Sequence, residues 1–240
     1  ILLRKTEIYN TYMNFDFLKN IDFILIQVPV ILLSLTVHEY FHGWTANKLG
    51  DPTAKLQGRL TLNPIAHLDI LGTILMFLVG FGWAKPVPIN ARNFKDPKKD
   101  TILVAIAGPL SNLAMAIGAG LLLRYIIPQM MTGQIKPEGI YSIVTIILIL
   151  TLIYGIALAV FNMIPIPPLD GSRVLYGLLP DKYAYAYSRF ERYGVLVLFA
   201  LFIFGGGIFR YLLYPVSYLT VAFSGYNYAN LWDIIGTLLK

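Results

Sequence analysis

The chain has 240 residues, 57% of them hydrophobic and only 13% charged, with a formal net charge of +6 and a mean hydropathy of +0.65. Soluble domains carry about 25% charged residues, so the composition excludes an ordinary soluble protein and points to a polytopic membrane domain built mostly of helix. The chain has no cysteine, which excludes disulfides, thiolate catalysis and Cys-ligated zinc or iron–sulfur sites.

In chain order, Ile1–Asn20 is mixed and polar and shows no secretory signal. Five apolar segments follow: A at about Ile21–Ala46, B at about Ile70–Phe81, C at about Thr101–Tyr125, D at about Tyr141–Ile164, and E from about Val195 to Phe223. A bilayer-spanning helix needs about 20 apolar residues, so A, C, D and E are long enough. Segment E carries a candidate break at Gly205–Gly207. Segment B is short and runs into Gly80, Gly82, Pro86 and Pro88, which predicts a re-entrant element, with a thin or tilted span as the alternative. The tail, Tyr226–Lys240, gathers Leu231, Ile234, Ile235, Leu238 and Leu239 on one face, the pattern of an interfacial helix.

The expected fold is therefore an all-α polytopic membrane protein. It forms a bundle of about four to five transmembrane helices plus a re-entrant or short extended element. The chain reads as a single domain, 1–240, with a catalytic core at about 21–173 and C-terminal helices at about 190–240. Lys and Arg lie in the loops flanking apolar runs, where membrane topology places them. The net charge is therefore not the footprint of a nucleic-acid partner.

Two of the three histidines stand in His38-Glu39-Tyr40-Phe41-His42, near the end of segment A. Residues four apart on a helix share a face with Cβ atoms about 5–6 Å apart, so both imidazoles can reach one zinc at about 2.0–2.1 Å. Glu39 then lies beside the first ligand, placed to take a proton from water. Ionisable groups in a membrane helix are costly and mark function.

A catalytic zinc needs a third protein ligand and an open position. The third histidine, His67, sits in a loop with Asn63-Pro64 and Asp69. Asp170 is the better candidate. It follows Pro165, Pro167 and Pro168 where segment D stops, and it is expected on non-helical backbone at the bundle mouth. Sharing one metal puts the exits of A and D on the same side, which requires that B does not cross. Twelve of the nineteen Lys and Arg residues then lie on the side of the site, which places it toward the cytosol.

Gly82–Asn90 contains Pro86 and Pro88, which lack donors, while Val87 and Ile89 keep theirs. Two readings are open: an edge strand that pairs with an unwound substrate, or a rigid proline-rich connector.

The motifs together resemble the site-2 protease family of intramembrane zinc metalloproteases, in its small subgroup without PDZ or CBS domains. The resemblance runs from segment A to Arg173. It rests on His38–Gly43, on Ala107-Gly108-Pro109-Leu110-Ser111-Asn112, and on Asn162…Pro165…Pro167-Pro168-Leu169-Asp170-Gly171. It implies one Zn2+ per chain held by His38, His42 and Asp170, with Glu39 as the catalytic base. It also implies that Asn162 holds the scissile peptide or its oxyanion. Asn112 is a second candidate for that donor, the alternative being a cap or bridge to helix backbone near Pro109. Further implications are transmembrane-helix substrates, the lipid bilayer as surroundings, and a multi-pass protein of a bacterial or archaeal cell membrane engaged in regulated intramembrane proteolysis or signal-peptide clearance.

Two other classes fit parts of the sequence. A transporter predicts ionisable residues spread along the spans or inverted repeats, and neither is seen. An inactive metal-binding relative that holds clients is disfavoured by the intact Glu39. Two imidazoles and a carboxylate favour zinc, although cobalt, iron or nickel can occupy such a site in vitro.

Overall fold

The computed structural model describes residues 21–72, 82–204 and 206–239, with the side chains of 202–203, 206–210 and 212 outside the description. Among the described residues, three helices are long and apolar enough to cross a membrane: α1 (Ile21–Lys48), α3 (Pro97–Met131) and α4 (Ile140–Asn162). A short helix, α2 (Thr53–Leu56), follows α1. Beyond α4 come α5 (Asp170–Leu178), α6 (Asp181–Phe190), α7 (Gly194–Phe204), α8 (Gly206–Ser224) and α9 (Tyr228–Leu238). The expected all-α architecture is present. Segment E is helical over 194–204 and 206–224, and residue 205 lies outside the described residues. Segment B lies largely outside the described residues.

Local sequence explains the helix ends. Asp96 caps α3 by accepting the Lys99 N–H at 3.2 Å, and Pro97 occupies the first helical position, where no donor is needed. α4 stops at Asn162, before Pro165, which cannot continue a helix. Asn227 caps α9 by accepting the Asn230 N–H at 2.8 Å.

The core runs between α1, α3 and α4, where Phe23, Val30, Leu123, Ile149, Leu150 and Ile156 are buried. Leu25, Leu103, Leu121 and Leu122 are more than half exposed. That outward apolar surface suits lipid, where helices associate through close packing rather than by escaping water. Gly155 permits such an approach: a Cβ there would stand 2.8 Å from the Asn112 carbonyl oxygen and 3.1 Å from Ala116 Cβ. Helix α9 turns its apolar face into this core and buries Leu231 and Ile235 completely.

Ala46 near the end of α1 packs with Phe94 and Val104, just before and within the first turns of α3. The two helices are therefore antiparallel, and the segment joining them returns to the end of the bundle it left. Its described parts support this. Leu68 and Ala84 form an antiparallel bridge, and the Lys85 N–H donates to the His67 carbonyl at 2.8 Å. Gly72 lies against Trp83, where a Cβ would stand 3.0 Å from the Trp83 nitrogen.

Candidate metal centre

His38 and His42 lie one turn apart in the last third of α1, 5% and 6% exposed. Asp170 is the first residue of α5, which corrects the expectation of non-helical backbone: Leu169 is extended, and the helix begins at the carboxylate itself. An acidic side chain in a first turn is favoured by the helix dipole. Gly171 lets this turn close, since a Cβ there would run into the Met163 carbonyl.

The three side chains converge. His38 Nε2 and His42 Nε2 are 3.0 Å apart, and Asp170 Oδ2 lies 3.1 Å from the first and 3.2 Å from the second. They are the metal-competent cluster found among the described residues. Ligand atoms of a tetrahedral zinc stand about 3.3–3.4 Å apart when each bond is about 2.0–2.1 Å. The triangle is close to one face of that tetrahedron, so the donor set fits zinc.

One stripe of α3 supports the two imidazoles. Val104 offers its carbonyl oxygen 2.7 Å from His42 Nδ1, which holds the hydrogen on Nδ1 and leaves Nε2 bare for a metal. At Gly108, a Cβ would stand 2.5 Å from His42 Cε1 and 2.8 Å from His38 Cε1, so only glycine admits the rings. Asn112 completes the stripe with its side-chain amide 3.1 Å from His38 Nδ1.

Glu39 stays outside the ligand cluster. Its Oε2 accepts the Val87 N–H at 2.8 Å. The donor that the edge-strand reading offered to a substrate is therefore bonded to Glu39. Residues 84–90 are held at both ends. Arg59 Nη2 donates to the carbonyl oxygens of Lys85 and Pro86 at 2.9 and 3.3 Å. Asp51 Oδ2 accepts the Asn90 N–H at 2.7 Å, and its Oδ1 accepts from Asn93 Nδ2 at 2.7 Å and from the Thr53 hydroxyl. Burial alone would raise the Asp51 carboxyl, but the hydrogen bonds from Thr53, Asn90 and Asn93 outweigh it and hold the group below its usual range.

The cluster opens into a cavity of about 480 Å³ whose walls include Glu39, Asn162 and Arg173 and are otherwise largely apolar. Asn162 reaches it half-buried, its Nδ2 donating to the Leu158 carbonyl at 3.0 Å within its own helix. Asn112 does not: it is fully buried and absent from the cavity wall. Of the two readings of Asn112, this favours a bridging role, though to His38 rather than to backbone near Pro109. His67 is 2% exposed with Nε2 2.8 Å from the Thr61 carbonyl oxygen, outside the cluster. The sequence reading missed Val104, the Val87 N–H and Arg173 as parts of the site. The first two act through backbone atoms, which no residue type advertises.

The profile of peptidase family M50 matches residues 26–205. The chain belongs to peptidase family M50. The M50 match contains the His38–His42 helix, the α3 stripe and Asp170, so the site lies wholly within it. Among similar proteins, "Putative zinc metalloprotease YwhC" of Bacillus subtilis is 43% identical over 190 residues, covering 79% of this chain and 84% of its own length. A protein of Mycolicibacterium smegmatis given the same description, Rip2, is 28% identical over 199 residues, covering 78% of this chain and 71% of its own. No solved structure matches. M50 membership and the donor triangle together make the chain a zinc metalloprotease of the site-2 protease kind, embedded in a membrane by several helices.

Proposed function

We propose that this M50 peptidase is an intramembrane zinc endopeptidase that hydrolyses peptide bonds in or near transmembrane segments of other membrane proteins. The observation that carries the reading is the position of the cluster: two ligands belong to a membrane-spanning helix, and they open into a cavity of about 480 Å³ with largely apolar walls. Such walls suit apolar side chains of a substrate segment. The cavity also meets the irregular backbone of residues 82–89, which membrane depth tolerates only beside protein or a wet cavity.

Zinc, when bound by His38, His42 and Asp170, supplies Lewis acidity toward a scissile carbonyl and toward water. Glu39 takes the proton from the attacking water and delivers it to the leaving amine. The Val87 N–H fixes one oxygen of that carboxylate and leaves the other for the proton. Asn162 donates to the developing oxyanion once its amide turns from the Leu158 carbonyl toward the cavity. The charge distribution of the loops supports a cell-membrane protein with this site toward the cytosol.

The test uses the purified full chain in liposomes, with a single-span membrane substrate and a soluble peptide of the same cleavage sequence. The expected result is zinc-dependent cleavage of the membrane substrate, its loss in Glu39→Gln with zinc retained, and little cleavage of the soluble peptide. Equal cleavage of both substrates would refute the intramembrane assignment, and full activity in Glu39→Gln would refute the base.

A further inference from the structure

We propose that Asn112 is a positioning residue for the metal: its side-chain oxygen accepts the His38 Nδ1–H and fixes the tautomer that leaves Nε2 bare for zinc. The inference rests on the zinc reading of the His38–His42–Asp170 cluster.

Three observations meet at this residue. Asn112 is 0% exposed, so no solvent satisfies its amide. The amide nitrogen lies 3.1 Å from His38 Nδ1, while Oδ1 is buried without a hydrogen-bond partner. His38 Nε2 points into the donor triangle, 3.0 Å from His42 Nε2 and 3.1 Å from Asp170 Oδ2. A neutral imidazole carries one hydrogen. If Nε2 is to bind a metal, that hydrogen sits on Nδ1 and faces Asn112. An amide nitrogen there would set donor against donor. A half-turn of the amide exchanges its two ends without moving another atom. The oxygen then receives the Nδ1–H, and the conflict and the orphaned oxygen vanish together.

The same logic operates one turn away, where His42 Nδ1 meets the Val104 carbonyl oxygen at 2.7 Å. Val104, Gly108 and Asn112 follow at four-residue spacing on α3, and His38 and His42 follow at four-residue spacing on α1. The result is an acceptor, a gap and an acceptor set against two imidazoles. Val104 supplies its acceptor from the backbone, so substitution there leaves it in place. Asn112 supplies its acceptor from a side chain, which makes the arrangement open to test. Behind it, Gly155 on α4 leaves room for the Asn112 backbone, since a Cβ would stand 2.8 Å from the Asn112 carbonyl oxygen.

The experiment measures zinc affinity of the detergent-purified full chain by competition with a chromogenic chelator, for wild type, Asn112→Leu, Asn112→Asp and Asp170→Asn. Thermal unfolding of the helical signal verifies that each variant is folded. The expected result is that Asn112→Leu weakens zinc by about 10–100-fold, while Asn112→Asp, whose carboxylate can only accept, holds zinc at least as tightly as wild type. A merely space-filling role would not separate the two variants. Nitrogen NMR of 15N-histidine-labelled, zinc-loaded wild type, with His67→Asn to assign one of the three rings, reads the tautomer without touching Asn112. Its expected result is a hydrogen on His38 Nδ1. Wild-type affinity in Asn112→Leu, equal loss in a folded Asn112→Asp, or a bare His38 Nδ1 overturns the proposal. If Asp170→Asn loses zinc while Asn112→Leu keeps it, the metal reading stands and the Asn112 role alone falls. A wild-type chain that binds no zinc overturns both.

Discussion

The two sides of the candidate site are built by different means. On one side, α1 and α3 set His38, His42, Val104, Gly108 and Asn112 at four-residue spacing, so helix geometry fixes the two histidine ligands. On the other side, residues 82–90 and 163–169 are irregular and proline-rich, and the first of these segments is held by point attachments: Arg59 to Lys85 and Pro86, Asp51 to Asn90 and to nearby Asn93, and Val87 to Glu39. The difference separates duties. A helix pair tolerates almost no change where it holds a metal, while a tethered segment can adjust to a substrate chain and still hold the base.

Breaking the metal cluster or its α3 cradle has the largest effects. Asp170→Asn removes the charged ligand, and zinc per chain, measured by plasma emission, drops from about one to near none. His67→Asn, outside the cluster, keeps its metal. Gly108→Ala drives a methyl group into both imidazoles; it abolishes zinc binding and lowers stability by about 1–3 kcal/mol. Gly118→Ala on the same helix meets nothing within 4 Å and is neutral or stabilising by up to about 1 kcal/mol. Equal behaviour of the two glycine variants in chelator competition and thermal unfolding would remove the case for an α3 cradle.

The tethered side gives smaller and graded effects. Val87→Pro deletes the N–H that Glu39 accepts. A hydrogen bond to a charged group contributes about 1.5–3 kcal/mol, so kcat falls about 10–100-fold while zinc content is unchanged. Unchanged kcat would mean that Glu39 needs no such support. The smallest effect is a pH dependence. Asp51 is held below its usual range in the folded chain. Its contribution to stability is therefore complete above the unfolded value of about 3.9 and is lost as pH falls through the lowered folded value. Tm of the wild type drops over that acid range, and Asp51→Asn, starting from a lower Tm at neutral pH, shows a shallower drop there.

Much of this was legible in the sequence because it is local. The His38-Glu39-x-x-His42 spacing, the lengths of α1, α3 and α4, and the stop before Pro165 all follow from neighbours within a few residues. Asp170 was reachable because its proline-rich setting, where segment D stops, is unusual. The missing parts are long-range. Glu39 and Val87 are 48 residues apart and Asn112 and His38 are 74 apart, and no periodicity links them. The helical start at Asp170 was missed because the prolines before it suggested that irregular backbone continued.

Val87 stands between two prolines, and neither Pro86 nor Pro88 has an N–H. Sliding this segment by one residue in either direction would bring an atom that cannot donate opposite the Glu39 carboxylate. An ordinary strand would accept such a slip, because every residue offers the same donor. Here each neighbouring alignment leaves the carboxylate without a partner. The segment is thus self-indexing: one alignment makes the bond and the adjacent two cannot.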